Sequence, residues 1–325
     1  MSEQGLSCGW HDKYRSLWGH QPIRFGHQLH KLDLFGTDSL ASLIESYPRE
    51  HFSIVQTSDN AQRRLWREGE LDGLSGREVI EAIGRGRLWL NMRRLNEVDG
   101  RYARILEQLF DEMRQLAPGF VTLRRGCGLL ISSPRSRVHY HADLPGQALL
   151  QIAGRKRLYL YPAEEPFISR ELLERIAVFD LEIDIPYHSW FDEYAQAYDL
   201  QPGQMVYWPT NAPHRVENED CLNISLTLDF LTEPIRRAQI CHALQRTASQ
   251  SLRLAAAQSK RSRTIVLDKG RPSEGLAQRL LDTAGAACAQ GSRVPARPRR
   301  PRRGGRSDHV IAGPCQTANI RGRLR

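Results

Sequence analysis

The 325-residue chain has no run of about 18 consecutive apolar residues, the length that a transmembrane helix needs, so no membrane span is expected. Its first 20 residues contain no apolar segment of the kind found in secretory signals. Its six cysteines include no CxxC pair, which argues against a disulfide framework and against a zinc knuckle. These absences favour a cytoplasmic protein with reduced thiols.

Acidic residues are almost missing from the last part of the chain. Residues 291–325 contain ten Arg and one acid, Asp308, whereas residues 1–290 contain 36 basic and 36 acidic side chains. The net charge of +9 therefore belongs to this tail. Because the tail is rich in Arg, Pro and Gly, it cannot bury a core and is predicted to be disordered. Nucleic acid is not expected as a partner except through this tail.

The first 119 residues carry helical patterns. A short helix is predicted over 38–47, and the SGRE sequence at 75–78 is a capping box that begins a second helix. Apolar residues at helical spacing predict a third helix over 101–116. We expect the segment 1–119 to be mixed and helical and to pack on the outside of the domain formed by the next segment of the chain.

From residue 120 the pattern changes to short β-rich runs separated by turn residues. The runs are FVTLRRGCGLLISS, RVHYHAD, ALLQIAG, KRLYLYP, FDLEIDI, QMVYWP, HRVEN and LNISLTLDF. Many short strands at this spacing predict an antiparallel barrel or sandwich over 120–232. The fold class is therefore mainly β with flanking helices.

The segment after the barrel is predicted to be helical. Pro234 ends the last strand, one helix runs from Ile235 to about Ser259, and a second is expected over 273–287. The segment 233–290 thus supplies C-terminal helices that either pack on the barrel or form a homodimer.

Three residues carry metal-binding chemistry: His141, Asp143 and His214. His141 and Asp143 are two apart in a predicted strand, so their side chains point the same way, into the barrel. His214 follows 71 positions after Asp143, behind the Pro-flanked loop PTNAP. Two imidazoles and one carboxylate are the ligand set of non-haem Fe(II) oxygenases. If these side chains converge, they are the candidate metal ligands and the candidate catalytic residues.

Lys156 lies in the next predicted strand, on the face that it shares with Leu158 and Leu160. A lysine that faces a barrel interior needs an anionic partner, because an isolated buried ammonium is very costly. A dicarboxylate co-substrate bound to the metal would supply that partner.

The stretches LLISSPRSRVHYHADLPGQALLQIAGRKRLYLYP and PGQMVYWPTNAPHRVEN resemble the JmjC/cupin-like Fe(II)- and 2-oxoglutarate-dependent oxygenases. They are most similar to the branch that includes the asparaginyl hydroxylase inhibiting hypoxia-inducible factor. The resemblance covers roughly 85–232 and implies a double-stranded β-helix (jelly-roll, or cupin) core. By resemblance, His141, Asp143 and His214 match the Fe(II) ligands, and Lys156 matches the lysine that binds the distal carboxylate of 2-oxoglutarate. Gln147 and Asp229 are further candidates for binding the co-substrate.

Two positions depart from the pattern of the family. Relatives often have a hydroxyl residue three positions before the first His, where this chain has Val138, and often have Asn where it has Asp229. The missing hydroxyl could come from Tyr140, Thr227 or a nearby serine (Ser132 or Ser133), among which the sequence does not choose.

The resemblance implies that the protein hydroxylates an amino-acid side chain of a protein or peptide substrate, with release of succinate and CO2. Alternatives from other classes are a non-catalytic cupin-like regulator that binds a ligand or nucleic acid, and a hydroxylase of a modified tRNA base. A metal-dependent cupin isomerase or dioxygenase without 2-oxoglutarate is a further option. Such cupins often use a Glu ligand, and Glu217, three residues past His214, is a poor candidate.

Overall fold

The computed structural model describes residues 5–56, 67–68, 73–179 and 185–262. The strands are β1 (Ser7–Cys8), β2 (Ile23–His27), β3 (Phe52–Gln56), β4 (Arg67–Glu68), β5 (Leu88–Met92), β6 (Thr122–Ser132), β7 (Arg137–His141), β8 (Gly146–Ala153), β9 (Lys156–Leu160), β10 (Gln196–Leu200), β11 (Gln204–Trp208), β12 (His214–Asn218) and β13 (Asn223–Thr232). The α-helices are α1 (Tyr14–Leu17), α2 (Thr37–Ser46), α3 (Gly76–Arg85), α4 (Leu95–Val98), α5 (Gly100–Leu116), α6 (Arg170–Phe179) and α7 (Glu233–Ser262). Short 3-10 helices are Leu29–Lys31, Asp33–Phe35, Arg49–His51 and Ser189–Tyr194.

The strands form two antiparallel sheets that face each other. The larger sheet has the order β1-β2-β11-β8-β13-β6-β5-β3-β4, and the smaller has the order β10-β9-β12-β7. Between them lies an apolar cluster made of Leu149, Leu158, Leu160, Leu200, Val206, Trp208, Ala212 and Val216. The predicted fold class, a mainly β jelly-roll core with flanking helices, is confirmed.

The outer face of the larger sheet carries the main core. In β13, Leu226, Leu228 and Phe230 are buried against the N-terminal helices, while the intervening Thr227 and Asp229 face the other sheet. The predicted amphipathic helix is α5, whose apolar face packs in this core. Each buried side chain of this size contributes about 1.5–3 kcal/mol relative to an exposed one.

The N-terminal segment is more than an external layer. It was expected to pack outside the barrel, yet it supplies β1 to β5 to the larger sheet. For example, β2 pairs with β11, with Phe25 opposite Met205. These pairings join residues far apart in sequence, which local patterns do not reveal.

A second layer covers the outer face of the smaller sheet. It contains α6, the 3-10 helix Ser189–Tyr194 and an aromatic cluster that includes Tyr140 and Phe191. Helix α6 was not predicted. The run FDLEIDI was predicted as a strand, but Phe179 ends α6, residue 185 lies outside any strand, and 180–184 lie outside the described residues.

The capping box and the C-terminal helix agree with the sequence patterns. Ser75 accepts a hydrogen bond from the Glu78 N–H, and the Glu78 carboxylate accepts one from the Ser75 N–H. Helix α7 begins one residue before Pro234, whose missing N–H costs nothing in a first helical turn. The second predicted helix and the Arg-rich tail lie outside the described residues. Among the described helices, none is both long and apolar enough to cross a membrane.

One glycine fixes the turn that leads into β9. Gly154 has φ +74°, a left-handed conformation, and a Cβ there would overlap the carbonyl oxygen of Leu222. The turn between β8 and β9 therefore requires glycine, and it sets the register that points Lys156 into the barrel.

Candidate metal centre

The structure brings His141, Asp143 and His214 together between the two sheets. His141 ends β7 and His214 begins β12, and the two residues are direct partners across this strand pair. Their ring centroids are 4.1 Å apart, and His214 Nε2 lies 3.4 Å from Asp143 Oδ2. One donor atom from each of the three residues lies within 4.8 Å of the others. Such a group could hold one metal ion.

Two main-chain carbonyls orient the histidine rings. His141 Nδ1 lies 2.7 Å from the His139 carbonyl oxygen, and His214 Nδ1 lies 3.1 Å from that of Ala212. Each Nδ1 must carry the hydrogen in order to donate to a carbonyl, so each Nε2 keeps its lone pair. In most metal-binding histidines, the ring nitrogen that does not bind the metal donates such a hydrogen bond, which fixes the orientation of the ring.

The surroundings of His214 keep its ring neutral. The residue is buried, and its pKa is well below its ordinary value, first because of burial and then because of the neighbouring His141. The ring centre of Trp208 lies 5.0 Å from that of His214, so Trp208 covers one side of the imidazole. A neutral imidazole is the form that binds a metal.

The loop before His214 is held from both ends. Asn211 adopts a left-handed conformation with φ 66°, and the Ala212 N–H donates to the Pro209 carbonyl. The Pro213 carbonyl accepts a hydrogen bond of 2.9 Å from the Tyr161 N–H. The loop thus delivers His214 to a fixed position at the start of β12.

Lys156 points into the barrel and is 4% exposed. On β9, Leu160 pairs with His214 and Lys156 pairs with Asn218, so the lysine lies four residues deeper, about 13 Å along the strand. Burial lowers the pKa of Lys156 to about 7, with a small opposing effect of Cys221. Among the described residues, no carboxylate forms an ion pair with this ammonium.

The inner face of the larger sheet offers neutral polar groups that the sequence reasoning missed. Ser225 donates a 2.8 Å hydrogen bond to Gln151, whose amide donates to Asn223 at 2.8 Å, and all three are fully buried. Strand alternation could have found Ser225, which is two and four residues from Thr227 and Asp229. Because these groups bind one another and carry no charge, they supply no anion for Lys156.

Gln147 and Asp229 are direct partners across β8 and β13. Gln147 also pairs with Trp208, so both candidates lie at the level of the metal ligands. The pKa of Asp229 is raised, first by burial and then by Asp143 and Glu97, whereas Arg124 opposes the shift.

The candidate hydroxyls for the one missing at Val138 lie in different parts of the barrel. Val138 packs on the apolar interior. The Tyr140 hydroxyl donates to the Phe167 carbonyl in the outer layer, so Tyr140 is buried on the far side of β7. The Ser133 hydroxyl bonds the main chain at Ile83, and Ser132 accepts from Asn218. Thr227 faces the interior beside Asp229.

A family model described as a cupin-like domain matches residues 42–230. The match spans 189 of the 325 residues, more than half of the chain. The chain belongs to the cupin-like domain family. None of the curated proteins compared with this cupin-like protein matches it.

Solved structures of one bacterial protein share the fold. An X-ray structure of Escherichia coli YcfD matches with a TM-score of 0.50 and 16% identity, over 89% of this chain and 69% of that one. Escherichia coli YcfD in complex with cobalt and 2-oxoglutarate, described as a ribosomal oxygenase, matches with a TM-score of 0.49 and 17% identity, over 89% and 68%. At these identities, the likeness shows the fold of the cupin-like protein and not its activity.

Proposed function

We propose that this cupin-like protein is an Fe(II)- and 2-oxoglutarate-dependent oxygenase. It would hydroxylate an amino-acid side chain of a protein or peptide and release succinate and CO2. The observation that carries the proposal is the cluster of His141, Asp143 and His214, with donor atoms within 4.8 Å and both Nε2 lone pairs available. Among these oxygenases, we propose that the chain is nearest to the asparaginyl hydroxylase branch, because Lys156 lies thirteen residues after Asp143.

The three residues fit a divalent first-row metal such as Fe(II), since two neutral imidazoles and a carboxylate are its usual protein ligands. Bound there, iron would supply the activation of dioxygen. His141 and His214 would each bind through Nε2 while their Nδ1–H groups keep the rings fixed. Asp143 would supply the negative charge that balances the cation.

Lys156 fits the distal carboxylate of 2-oxoglutarate. It is a buried ammonium with a lowered pKa and without an anionic partner among the described residues, so a carboxylate would relieve its desolvation. We propose that Gln147 donates to the co-substrate at the level of the metal. The Thr227 hydroxyl, which donates to the Gly128 carbonyl at 3.2 Å, would turn to supply the hydrogen bond that Val138 cannot. YcfD, which shares the fold, was solved with cobalt and 2-oxoglutarate, so the fold can accommodate this chemistry.

The decisive experiment is anaerobic titration of the full chain with Mn(II) and 2-oxoglutarate, followed by aerobic assay of succinate with Fe(II). The wild type should bind both and form succinate even without a substrate, at a low rate. His141→Ala should lose metal binding and succinate, whereas His20→Ala, an exposed histidine away from the site, should retain both. Absence of metal binding and succinate in the wild type would leave the ligand-binding regulator as the better hypothesis.

We further propose that the protein forms a homodimer through α7. Ile240 and Leu244 lie one turn apart on this helix and are 46% and 61% exposed, an unusual state for large apolar side chains. Sedimentation of the wild type should show a dimer that Leu244→Glu dissociates. We also propose a cytoplasmic location, because Cys127 and Cys221 are reduced thiols.

A further inference from the structure

The segment 162–199, which supplies the layer over the smaller sheet and most of β10, is strongly acidic. It contains ten acids and two bases, so its net charge is −8. Residues 291–325 carry +9, and the rest of the chain, with 34 bases and 26 acids, carries +8. The neutral balance of residues 1–290 therefore hides one acidic layer whose charge nearly matches that of the basic tail.

Two aromatic side chains form an exposed corner on this layer. Trp190 and Tyr194 are 44% and 58% exposed and are the two aromatic residues among the exposed large apolar side chains of the described part of the chain. Their ring centres are 6.0 Å apart and their planes are 83° to each other. The buried ring of Phe167 lies 6.2 Å from Trp190 and 5.6 Å from Tyr194. We call these three residues the aromatic corner.

Acidic side chains flank the aromatic corner. Glu193 immediately precedes Tyr194, and Glu164 and Glu165 lie in the turn that is closed by a 2.9 Å hydrogen bond from the Phe167 N–H to the Glu164 carbonyl. All three glutamates are exposed. The carboxylates of Glu165 and Glu193 form no ion pair with another described residue. The corner thus combines aromatic faces with negative charge.

The aromatic corner is held in place by its own layer. The Trp190 ring lies 4.6 Å from that of the buried Phe191, edge to face. Asp192, the next residue, accepts a 2.7 Å hydrogen bond from Arg215 in β12. Because these contacts fix the 3-10 helix that carries the corner, a bound segment would cost little ordering of the surface.

The sequence PARPRRPRR at 295–303, which we call the Arg/Pro segment, has the period of a polyproline II helix. Such a helix has three residues per turn, so residues three apart share one edge. Proline-rich helices of this kind bind aromatic-lined grooves, and their backbone loses little entropy on binding. The two sets that recur every three residues are Pro295, Pro298 and Pro301, and Arg297, Arg300 and Arg303.

We propose that the Arg/Pro segment docks on the aromatic corner of its own chain. Its proline edge packs on Trp190 and Tyr194, and its arginines lie against Glu165 and Glu193. A docked segment cannot bind nucleic acid, so the acidic layer restrains the RNA binding of the basic tail. The inference does not depend on the metal site or on its activity.

The path of the chain allows this docking. Helix α7 runs along α6, where Gln245 Oε1 lies 3.3 Å from Arg170 Nε, three residues after Phe167. From there α7 continues for about 25 Å to Ser262. The 32 residues between Ser262 and Pro295 can span up to about 100 Å, more than the return requires. Tethering gives the segment an effective concentration in the mM range, so weak contacts suffice.

The charge of the corner favours the Arg/Pro segment over the other occupants of an exposed aromatic surface. Aromatic side chains also stack on the bases of single-stranded nucleic acid, but such sites carry positive charge that tracks the phosphates. Carboxylates beside the corner would repel phosphates and attract guanidinium groups. The remaining occupant, the Arg/Pro segment of a second copy, has the same chemistry and is separated by experiment.

Fluorine NMR of the full chain labelled with 5-fluorotryptophan tests the contact. Trp190→Phe assigns the Trp190 resonance, and the buried Trp208 is the internal control. At low salt the Trp190 resonance of the wild type should differ from that of the proline variant, which combines Pro295→Ala, Pro298→Ala and Pro301→Ala. At about 1 M salt, where the screening length is about 3 Å, the two resonances should converge. Identical Trp190 resonances at low salt would overturn the proposal.

Affinity for labelled oligouridylate, measured by fluorescence anisotropy, gives a second readout. A segment docked about nine-tenths of the time leaves about one tenth for RNA, so its release should raise the affinity about tenfold. Glu165→Gln with Glu193→Gln should give this increase. The matched control, Asp33→Asn with Glu50→Gln, removes two exposed carboxylates of the N-terminal segment and changes the net charge equally. Equal RNA affinities of the two double variants would contradict the docking.

The same Trp190 resonance separates the other occupants. Docking within one chain gives a resonance that does not depend on protein concentration, and RNA added to the wild type should move it to the position seen in the proline variant. A resonance that depends on protein concentration would show that the segment of a second copy binds, against the proposal. Movement on addition of RNA to the proline variant would show that bases stack on the aromatic corner, which would equally refute it.

Discussion

At the scale of single residues, Lys156 has the strongest conflict with its surroundings. It is a buried ammonium whose local polar neighbours are neutral, and burial holds its pKa at about 7. Such a group destabilises the protein that carries it unless an anion binds. The lysine therefore indicates a function more strongly than the histidines do, since neutral imidazoles are common in protein interiors.

The first prediction concerns the pH dependence of 2-oxoglutarate binding. Below pH 7 the free protein already carries the Lys156 ammonium, so affinity should be nearly constant. Above pH 7 the free protein holds the neutral amine and must take up a proton to bind the anion, so affinity should fall by up to about tenfold per pH unit. Titration calorimetry in buffers of different ionisation enthalpy should detect the uptake. Lys156→Met should bind weakly with no such dependence; a flat profile in the wild type would contradict this account.

The second prediction is that Lys156→Met stabilises the protein without co-substrate, by roughly 1–4 kcal/mol at neutral pH. The pKa of the lysine is about 7 when folded and 10.5 when unfolded, so the unfolded chain binds more protons between these values. Wild-type stability should therefore rise with pH from 7 to 10.5, a slope that the variant lacks. Urea unfolding at several pH values measures both effects. A less stable variant would mean that the lysine has an anionic partner within the protein.

At the scale of elements, β12 connects the candidate metal site to the outer layer. Arg215 follows His214 in this strand, and its guanidinium lies 3.5 Å from the Tyr159 ring centre. It donates to the Tyr161 hydroxyl at 2.8 Å and to Asp192 at 2.7 Å. These contacts tie the 3-10 helix Ser189–Tyr194 to the strand that begins with His214.

The third prediction tests this connection. Asp192→Ala should lower the free energy of unfolding by about 2 kcal/mol, because the mostly buried Arg215 guanidinium loses its hydrogen bond to Asp192 and keeps Glu217 as its carboxylate partner. It should also weaken Mn(II) binding, since β12 loses an anchor next to His214. Glu193→Ala changes the neighbouring exposed acid and is the control. Unfolding and metal titration of both variants measure the effects; equal stability of the two would show that Arg215 needs no anchor.

The sequence predicted those elements whose patterns are local. The capping box at Ser75 and Glu78, the amphipathic α5 and the inward faces of β7 and β9 all depend on neighbours within four residues. Helix α6 was missed because its apolar residues pack in a cluster with Tyr140, which belongs to β7, a distant segment. Tyr140 alternates with His141 on β7 and points away from the barrel interior, but it is buried, because a layer that the sequence did not reveal covers it.

At the scale of the whole molecule, the candidate site depends on pairings that join distant segments. The strand order β10-β9-β12-β7 places His214 directly opposite His141, although 73 positions separate them. No rule of sequence spacing predicts that these two histidines lie opposite each other. In the sequence, only the family resemblance indicated it. The pairing of β2 with β11 was equally beyond local sequence patterns, because the register between remote strands depends on which faces the assembled sheets bury.

The charge of the whole chain leads to the last prediction. Residues 1–290 carry no net charge, and residues 291–325 carry +9. We therefore expect the full chain to bind single-stranded RNA in a salt-sensitive way, and a chain that ends at residue 290 to lose this binding while it keeps its Mn(II) affinity. The logarithm of RNA affinity of the full chain should fall with the logarithm of salt concentration with a slope of about −0.7 per phosphate neutralised. Retention of RNA binding by the shortened chain would instead place a nucleic-acid site on the neutral body and favour the non-catalytic regulator over the oxygenase.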